Sequence, residues 1–184
     1  MTAAVLVRRS GRLRAGLKGP RAAEWLGALG FRAPSQPNSW TPLGPADDAP
    51  IDDGPIAARL GSAEFFLEAR AAGPLERLGT ALRSAPPGVY PVLREDWGFA
   101  LSGAGVHDLL AQVCSLDFAA LPLSGRPVVM TSMIGVGVLI VPFAAAAGAR
   151  RYRLWCDPSH GPYLWETLGR VVVECGGSVT GEGT

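Results

Sequence analysis

The chain has 184 residues, enough for one sizeable core or two smaller fused ones. Its 17 Lys and Arg balance 16 Asp and Glu to a formal charge of +1, which excludes an electrostatic footprint for nucleic acid or an anionic membrane. Only 18% of residues are charged, against roughly 25% in an ordinary soluble domain, while 48% are hydrophobic, as expected of a surface partly covered by a partner.

Met1 to Val7 reach Arg8 and Arg9 too soon for an export signal, which places its positive charge before a longer apolar stretch. Val5 to Leu17 can form a strand, with Arg8, Arg9, Arg12 and Arg14 keeping one edge polar. Gly19-Pro20 then opens a helix, because proline at the first turn lacks an N–H that would have no partner anyway. Ala22, Trp25, Leu26 and Leu29 fall on one face, and Gly30 caps the end.

Residues 34–55, rich in Pro, Asp and Gly, read as a long surface loop, and loops of this length are usually functional, held by a partner or disordered. Trp40 within it is an aromatic anchor, into a partner or back onto the domain, and with Asn38 it forms the candidate partner interface. Ile56 to Leu60 and Glu64 to Arg70 are predicted strands joined at Gly61-Ser62. Pro74 to Leu82 is a helix that Pro86-Pro87-Gly88 stops, and Val89 to Arg94 and Trp97 to Leu101 are further strands.

A third helix-forming stretch, Gly105 to Cys114, carries Val106, Leu109, Leu110 and Val113 on its apolar stripe. Pro127 to Ala149 holds no charged residue, and about 20 apolar residues can span a bilayer. The β-branched run Val136 to Val141, bounded by turn formers, reads instead as buried strand. Strands are therefore expected at Val128 to Met133, Val136 to Phe143 and Arg151 to Cys156, with Gly135-x-Gly137 marking a bulge or a close backbone approach. A last helix from Pro162 turns Tyr163 or Leu164, Leu168, Val171 or Val172 and Cys175 inward, and ends at Gly176-Gly177.

Leu17-x-Gly19 before Leu26 recurs as Leu101-x-Gly103 before Leu110, at constant offset. The order of elements around each copy predicts an α+β fold of two fused ferredoxin-like βαββαβ halves, residues 1–94 and 95–184.

The chemistry-bearing motifs are incomplete. Ser102 to Asp108 has the place of a dinucleotide loop between strand and helix, but Asp108 stands at the third glycine and would repel a pyrophosphate. Cys156-x-x-x-His160 supplies one ligand pair where a structural zinc site needs two. His107 and His160 read as surface or capping residues, and Glu95 and Asp96, being adjacent, point to opposite faces of a strand. No catalytic, cofactor-binding or metal-ligating residue is assigned. Three cysteines without a CxxC pair fit a reducing, cytoplasmic setting.

Several stretches nevertheless form a pattern. They are Leu13 to Leu29 with Lys18-Gly19-Pro20, then Pro37-Asn38-Ser39, then Leu60-Gly61-Ser62-Ala63-Glu64-Phe65-Phe66-Leu67. Leu101-Ser102-Gly103, Leu109-Leu110-Ala111, Cys114-Ser115-Leu116-Asp117, Tyr152-Arg153-Leu154 and Tyr163-Leu164-Trp165-x-x-Leu168 continue it. The pattern resembles the gamma subunit of heterotetrameric sarcosine oxidase, with Ser62-Ala63 in place of that family's usual Pro-Asp. The resemblance implies a fold related to the folate-binding domain of aminomethyltransferases. It also implies membership of an enzyme that oxidatively demethylates sarcosine or a related N-methyl amino acid. In such a complex the beta subunit holds FAD and covalent FMN, the alpha subunit NAD and tetrahydrofolate, and the delta subunit zinc. The gamma subunit binds none of them and packs on alpha. Two rival readings are a free-standing folate-binding aminomethyltransferase-like protein and a membrane-associated interaction module built on residues 127–149.

Overall fold

A computed structural model describes residues 3–43, 54–70, 72–145 and 148–181. Gly11, at φ 67°, breaks the expected strand Val5–Leu17 into β1 (Val5–Arg8) and β2 (Leu13–Lys18), which enter different sheets. A left-handed backbone angle is easy for glycine and interrupts a pleat, and the apolar alternation on either side conceals the break.

Residues 11–95 form one unit. After β2 come α1 (Ala22–Ala28), β3 (Ser39–Pro42), β4 (Ile56–Arg59), β5 (Glu64–Ala69), α2 (Ala72–Leu82) and β6 (Tyr90–Val92). The strands lie in the order β3-β4-β5-β2-β6, every neighbour antiparallel. Period-two alternation sends Leu17, Ala57, Phe65, Leu67 and Ala69 to one face, where they pack with Ala22 and Leu26 of α1 and Leu75 and Leu78 of α2. Each fully buried leucine or phenylalanine contributes about 2 kcal/mol, so these positions hold the helices to the sheet. On the other face Ile56, Ala58 and Phe66 are also buried, and Arg14 pairs there with Glu68 directly opposite, Nη2 to Oε2 at 3.1 Å.

Residues 1–10 and 96–184 form the second unit. β1 is followed by β7 (Trp97–Ser102), α3 (Val106–Val113), β8 (Val129–Met133), β9 (Val136–Ala144) and β10 (Arg150–Cys156). A 3-10 turn at Pro158–His160, α4 (Gly161–Glu174) and β11 (Ser178–Thr180) complete it. The sheet order is β11-β1-β7-β10-β9-β8, and among these described strands only β1 and β11 run parallel. Leu6, Phe99, Leu101, Ile140, Tyr152 and Leu154 meet Leu109 and Leu110 of α3 and Leu164, Leu168 and Val172 of α4.

The two sheets share one plan. Taken by role, β4-β5-β2-β6 corresponds to β9-β10-β7-β11, the ferredoxin-like order, with β1 inserted before the last strand of the second. The repeated Leu-x-Gly marks the same corner in both. Leu17 and Leu101 are wholly buried, and Gly19 and Gly103 have φ of 127° and 100°. A Cβ on Gly19 would lie 2.3 Å from the Gly88 carbonyl oxygen, and one on Gly103 would lie 2.2 Å from that of Ala3. Only glycine fits such a corner.

Some elements differ from the sequence expectation. Each unit has three strands between its helices where the βαββαβ order has two, with β3 and β8 on the outer edges; β8 is the expected strand Val128 to Met133, and β3 is the addition. β3 forms inside the expected loop 34–55, where Thr41 donates to the Arg32 carbonyl and Ser39 to that of Gln36; residues 44–53 lie outside the described residues. Pro42 is tolerated because β3 is an edge strand. Gly135 is neither bulge nor close approach. Ile134 and Gly135, with φ of 50° and 78°, form the two-residue turn of the β8–β9 hairpin, and nothing lies within 4 Å of a Cβ on either Gly135 or Gly137. Cys175, expected inward, is exposed just past the end of α4, because Val172 ends the buried stripe. The expected division at 94/95 lies one residue from the 95/96 junction between the units, and β1 belongs with the later residues through its pairing to β7 and β11.

The uncharged stretch forms β8 and β9, and no helix among the described residues is long and apolar enough to cross a membrane.

Candidate functional site

The glycine loop after β7 is filled by the chain itself. Gly103 packs on the Ala3 carbonyl, and a Cβ on Gly105 would lie 3.4 Å from the Ala4 nitrogen. These glycines serve a backbone crossing between a strand and α3.

His107, partly buried at the start of α3, has its Nε2 2.8 Å from the Tyr152 hydroxyl of β10. Tyr152 is fully buried, with the Phe118 ring edge-on at 5.4 Å. Burial raises the Tyr152 phenol above its usual range, partly offset by the Arg150 guanidinium. Arg150 donates to the Phe118 and Leu121 carbonyls at 2.6 and 2.8 Å, tying residues 118–121 to the start of β10. This polar cluster fastens a segment; its tyrosine holds its proton more tightly than a free phenol does.

The cysteines do not converge. Cys156 is buried in the core, and its thiol is pushed up to about 11, first by burial and then by the nearby carboxylates of Asp96 and Asp157. A thiol held neutral is a poor nucleophile and a poor metal ligand. His160 lies exposed on the 3-10 turn, its Nδ1 3.3 Å from the Ser159 hydroxyl. Asp157 caps that turn by accepting from the Ser159 hydroxyl at 2.5 Å and from the Ser159 amide at 2.8 Å, and these bonds, the hydroxyl's foremost, hold its carboxyl below the ordinary value. Cys114 sits 3.8 Å from the Thr131 hydroxyl, and Cys175 accepts from the Gln112 amide at 3.2 Å. Among the described residues no group of three or more His, Cys, Asp or Glu could hold a metal ion.

Trp40 is 4% exposed in β3, where it pairs in register with Ala58, so its ring is buried within the chain. Asn38 is exposed in a left-handed turn at φ 52°, its backbone N–H donating to the Arg59 carbonyl.

Two clefts open on the unit of residues 11–95. One, of about 530 Å³, lies among Lys18, Gly61, Ser62, Glu64 and Tyr90. The other, also about 530 Å³, is a groove between α2 and β6. Its walls are Gly79, Leu82 and Arg83 on one side and Pro91 to Leu93 on the other, with Ala15 of β2 as floor. Leu93 is 81% exposed and Tyr90, at the other end of β6, 54%. Sequence reasoning missed this groove. Its signal was a glycine inside a predicted helix and an aliphatic residue alternating out of a strand end.

Neither a family model nor a curated protein matches the chain. Solved structures do. The aminomethyltransferase T of the glycine cleavage system from Bartonella henselae superposes with TM-score 0.64 at 18% identity over 98% of this chain. The chain spans about half of that protein's length, 48%. A chain of the heterotetrameric sarcosine oxidase from Corynebacterium sp. U-96, in complex with pyrrole 2-carboxylate, superposes with TM-score 0.70 at 20% identity. That match covers 95% of this chain and 86% of the other, so the two are close in size. The fold is the α+β, aminomethyltransferase-like, folate-binding-domain-like fold that the sequence pattern implied.

Proposed function

We propose that the chain is a non-catalytic, gamma-type subunit of a flavoenzyme that oxidatively demethylates sarcosine or a related N-methyl amino acid, in a cytoplasmic setting. The observation that carries this reading is the match in fold and size to a chain of a heterotetrameric sarcosine oxidase, nearly end to end on both sides. Three further observations agree with it. The surface is thin in charge. Cys156, half of the one ligand pair in the sequence, is buried, and burial pushes its thiol up to about 11. The tight corner after β7 is occupied by the chain's own backbone. On this reading FAD, FMN, NAD, tetrahydrofolate and zinc belong to alpha-, beta- and delta-type partners, and this chain stabilises the assembly by packing against the alpha type.

The test is to purify the tagged chain from its own source cells. Recovery with flavin-bearing chains and sarcosine-dependent electron transfer is the expected result; recovery alone and colourless contradicts it. A free-standing folate-binding, aminomethyltransferase-like protein is the second reading, supported by the transferase match over 98% of this chain. It requires the purified chain to bind tetrahydrofolate by itself, and a flat calorimetric titration removes it.

A further inference from the structure

We propose that the groove between α2 and β6 is where a partner subunit docks, through a segment presenting an aliphatic side chain beside a carboxylate. The inference rests on the assembly reading above and names the surface that carries it.

Three features of the groove point outside the chain. Gly79 sits in the interior of α2, where glycine costs about 1 kcal/mol relative to alanine. A Cβ there would meet nothing within 4 Å among the described residues, so none of their packing calls for a glycine. A missing side chain on a helix wall admits close approach by something from outside. Across the groove Leu93 is 81% exposed, the most exposed large hydrophobic side chain among the described residues. With Leu82, Pro91 and Ala15 it forms an apolar lining that water covers in the isolated chain.

Charge selects the occupant. Among the described residues three guanidiniums, Arg14, Arg83 and Arg94, line the groove, and no carboxylate does. Arg14 and Arg94 already pair with Glu68 and Glu64. Arg83 is exposed at the end of α2, and among the described residues its guanidinium donates to the Thr80 hydroxyl, at 3.1 Å. Among the described residues of the lining it is the cation open to an incoming acid, and its planar fork suits a carboxylate. The mode of docking is constrained as well. β6 is an edge strand, but Pro91 at its centre has no N–H for an added strand. The partner therefore enters by side chains laid into the groove and does not extend the sheet.

The test compares Gly79→Leu, which fills the groove from the α2 wall, and Arg83→Glu, which reverses the rim charge, with the control Met130→Glu. Met130 is 56% exposed on β8 in the other unit. Binding to the flavin-bearing subcomplex purified with the wild-type chain is measured alongside the melting temperature. Gly79→Leu and Arg83→Glu should each weaken binding by about tenfold or more, as disruption of an anchor or a rim charge does. Melting should stay within about 3 °C of wild type for Arg83→Glu and not fall for Gly79→Leu, and Met130→Glu should bind like wild type. Undiminished binding by both groove variants overturns the groove while leaving the assembly reading intact. A wild-type chain that binds no flavin-bearing subcomplex overturns both. Self-association of the wild-type chain that Gly79→Leu abolishes overturns the choice of occupant in favour of a second copy.

Discussion

The three cysteines show how far surroundings separate identical side chains. Cys175 is exposed beyond α4, while Cys156 and Cys114 lie in the core of the second unit. An alkylating reagent at mildly alkaline pH should label Cys175 quickly and spare the other two until the chain unfolds, a pattern that mass spectrometry of the modified peptides reads directly. Cys156 also gives stability a pH dependence. Its folded pKa of about 11 lies above the reference 9.0, so the unfolded chain loses that proton first as pH rises. The contribution is whole below pH 9 and is lost as pH climbs toward about 11; the raised Tyr152 phenol acts in the same direction. Urea titrations at pH 8, 9, 10 and 11 should show the decline, and Cys156→Ala should flatten part of it. Gly103 makes the sharpest single-residue case. With φ at 100° and a Cβ position 2.2 Å from the Ala3 carbonyl, Gly103→Ala should cost about 2 kcal/mol or more. Gly135→Ala, strained but unobstructed, should cost less, and paired denaturation curves rank the two.

At the scale of elements, β1 is the informative one. It lies between β7 and β11, and among the described residues β11 pairs with no other strand. Leu6, fully buried in that core, anchors it. Leu6→Ala should lower stability by about 3 kcal/mol, and hydrogen exchange should quicken first at Ser178 to Thr180, before β9 and β10. The helices and most strands were legible because their periodicities are strong; the predicted stripe Val106, Leu109, Leu110 and Val113 is the buried face of α3. What escaped is instructive. β3 and β11 are four and three residues long, too short for alternation to register, and pairing alone defines them. The break at Gly11 was hidden because both flanking segments suit a strand. Ile134 at φ 50° gave no turn signal, since a β-branched residue is the last expected in a left-handed position. Its amide donates to the Val113 carbonyl at 3.0 Å, closing the end of α3 onto the hairpin.

At the scale of the whole molecule, the repeat Leu-x-Gly carried the architecture, because one steric requirement recurs at corresponding corners of two units. The groove could not be read in the same way. It joins Ala15, Gly79 and Leu93, residues from β2, from α2 and from just beyond β6 that only the fold makes neighbours. Trp40, a candidate anchor by its place in a polar loop, is buried, while Leu93, which drew no notice in the sequence, stands in solvent. Thin charge and an apolar groove with an arginine rim both suit a chain whose surface is completed by others. The most direct measurement is the visible spectrum and sarcosine-dependent turnover of material purified through a tag on this chain. The account predicts stoichiometric flavin that co-elutes with the tagged chain and is reduced by an N-methyl amino acid. A monodisperse, colourless chain of 19.2 kDa with no co-purifying partner would contradict it.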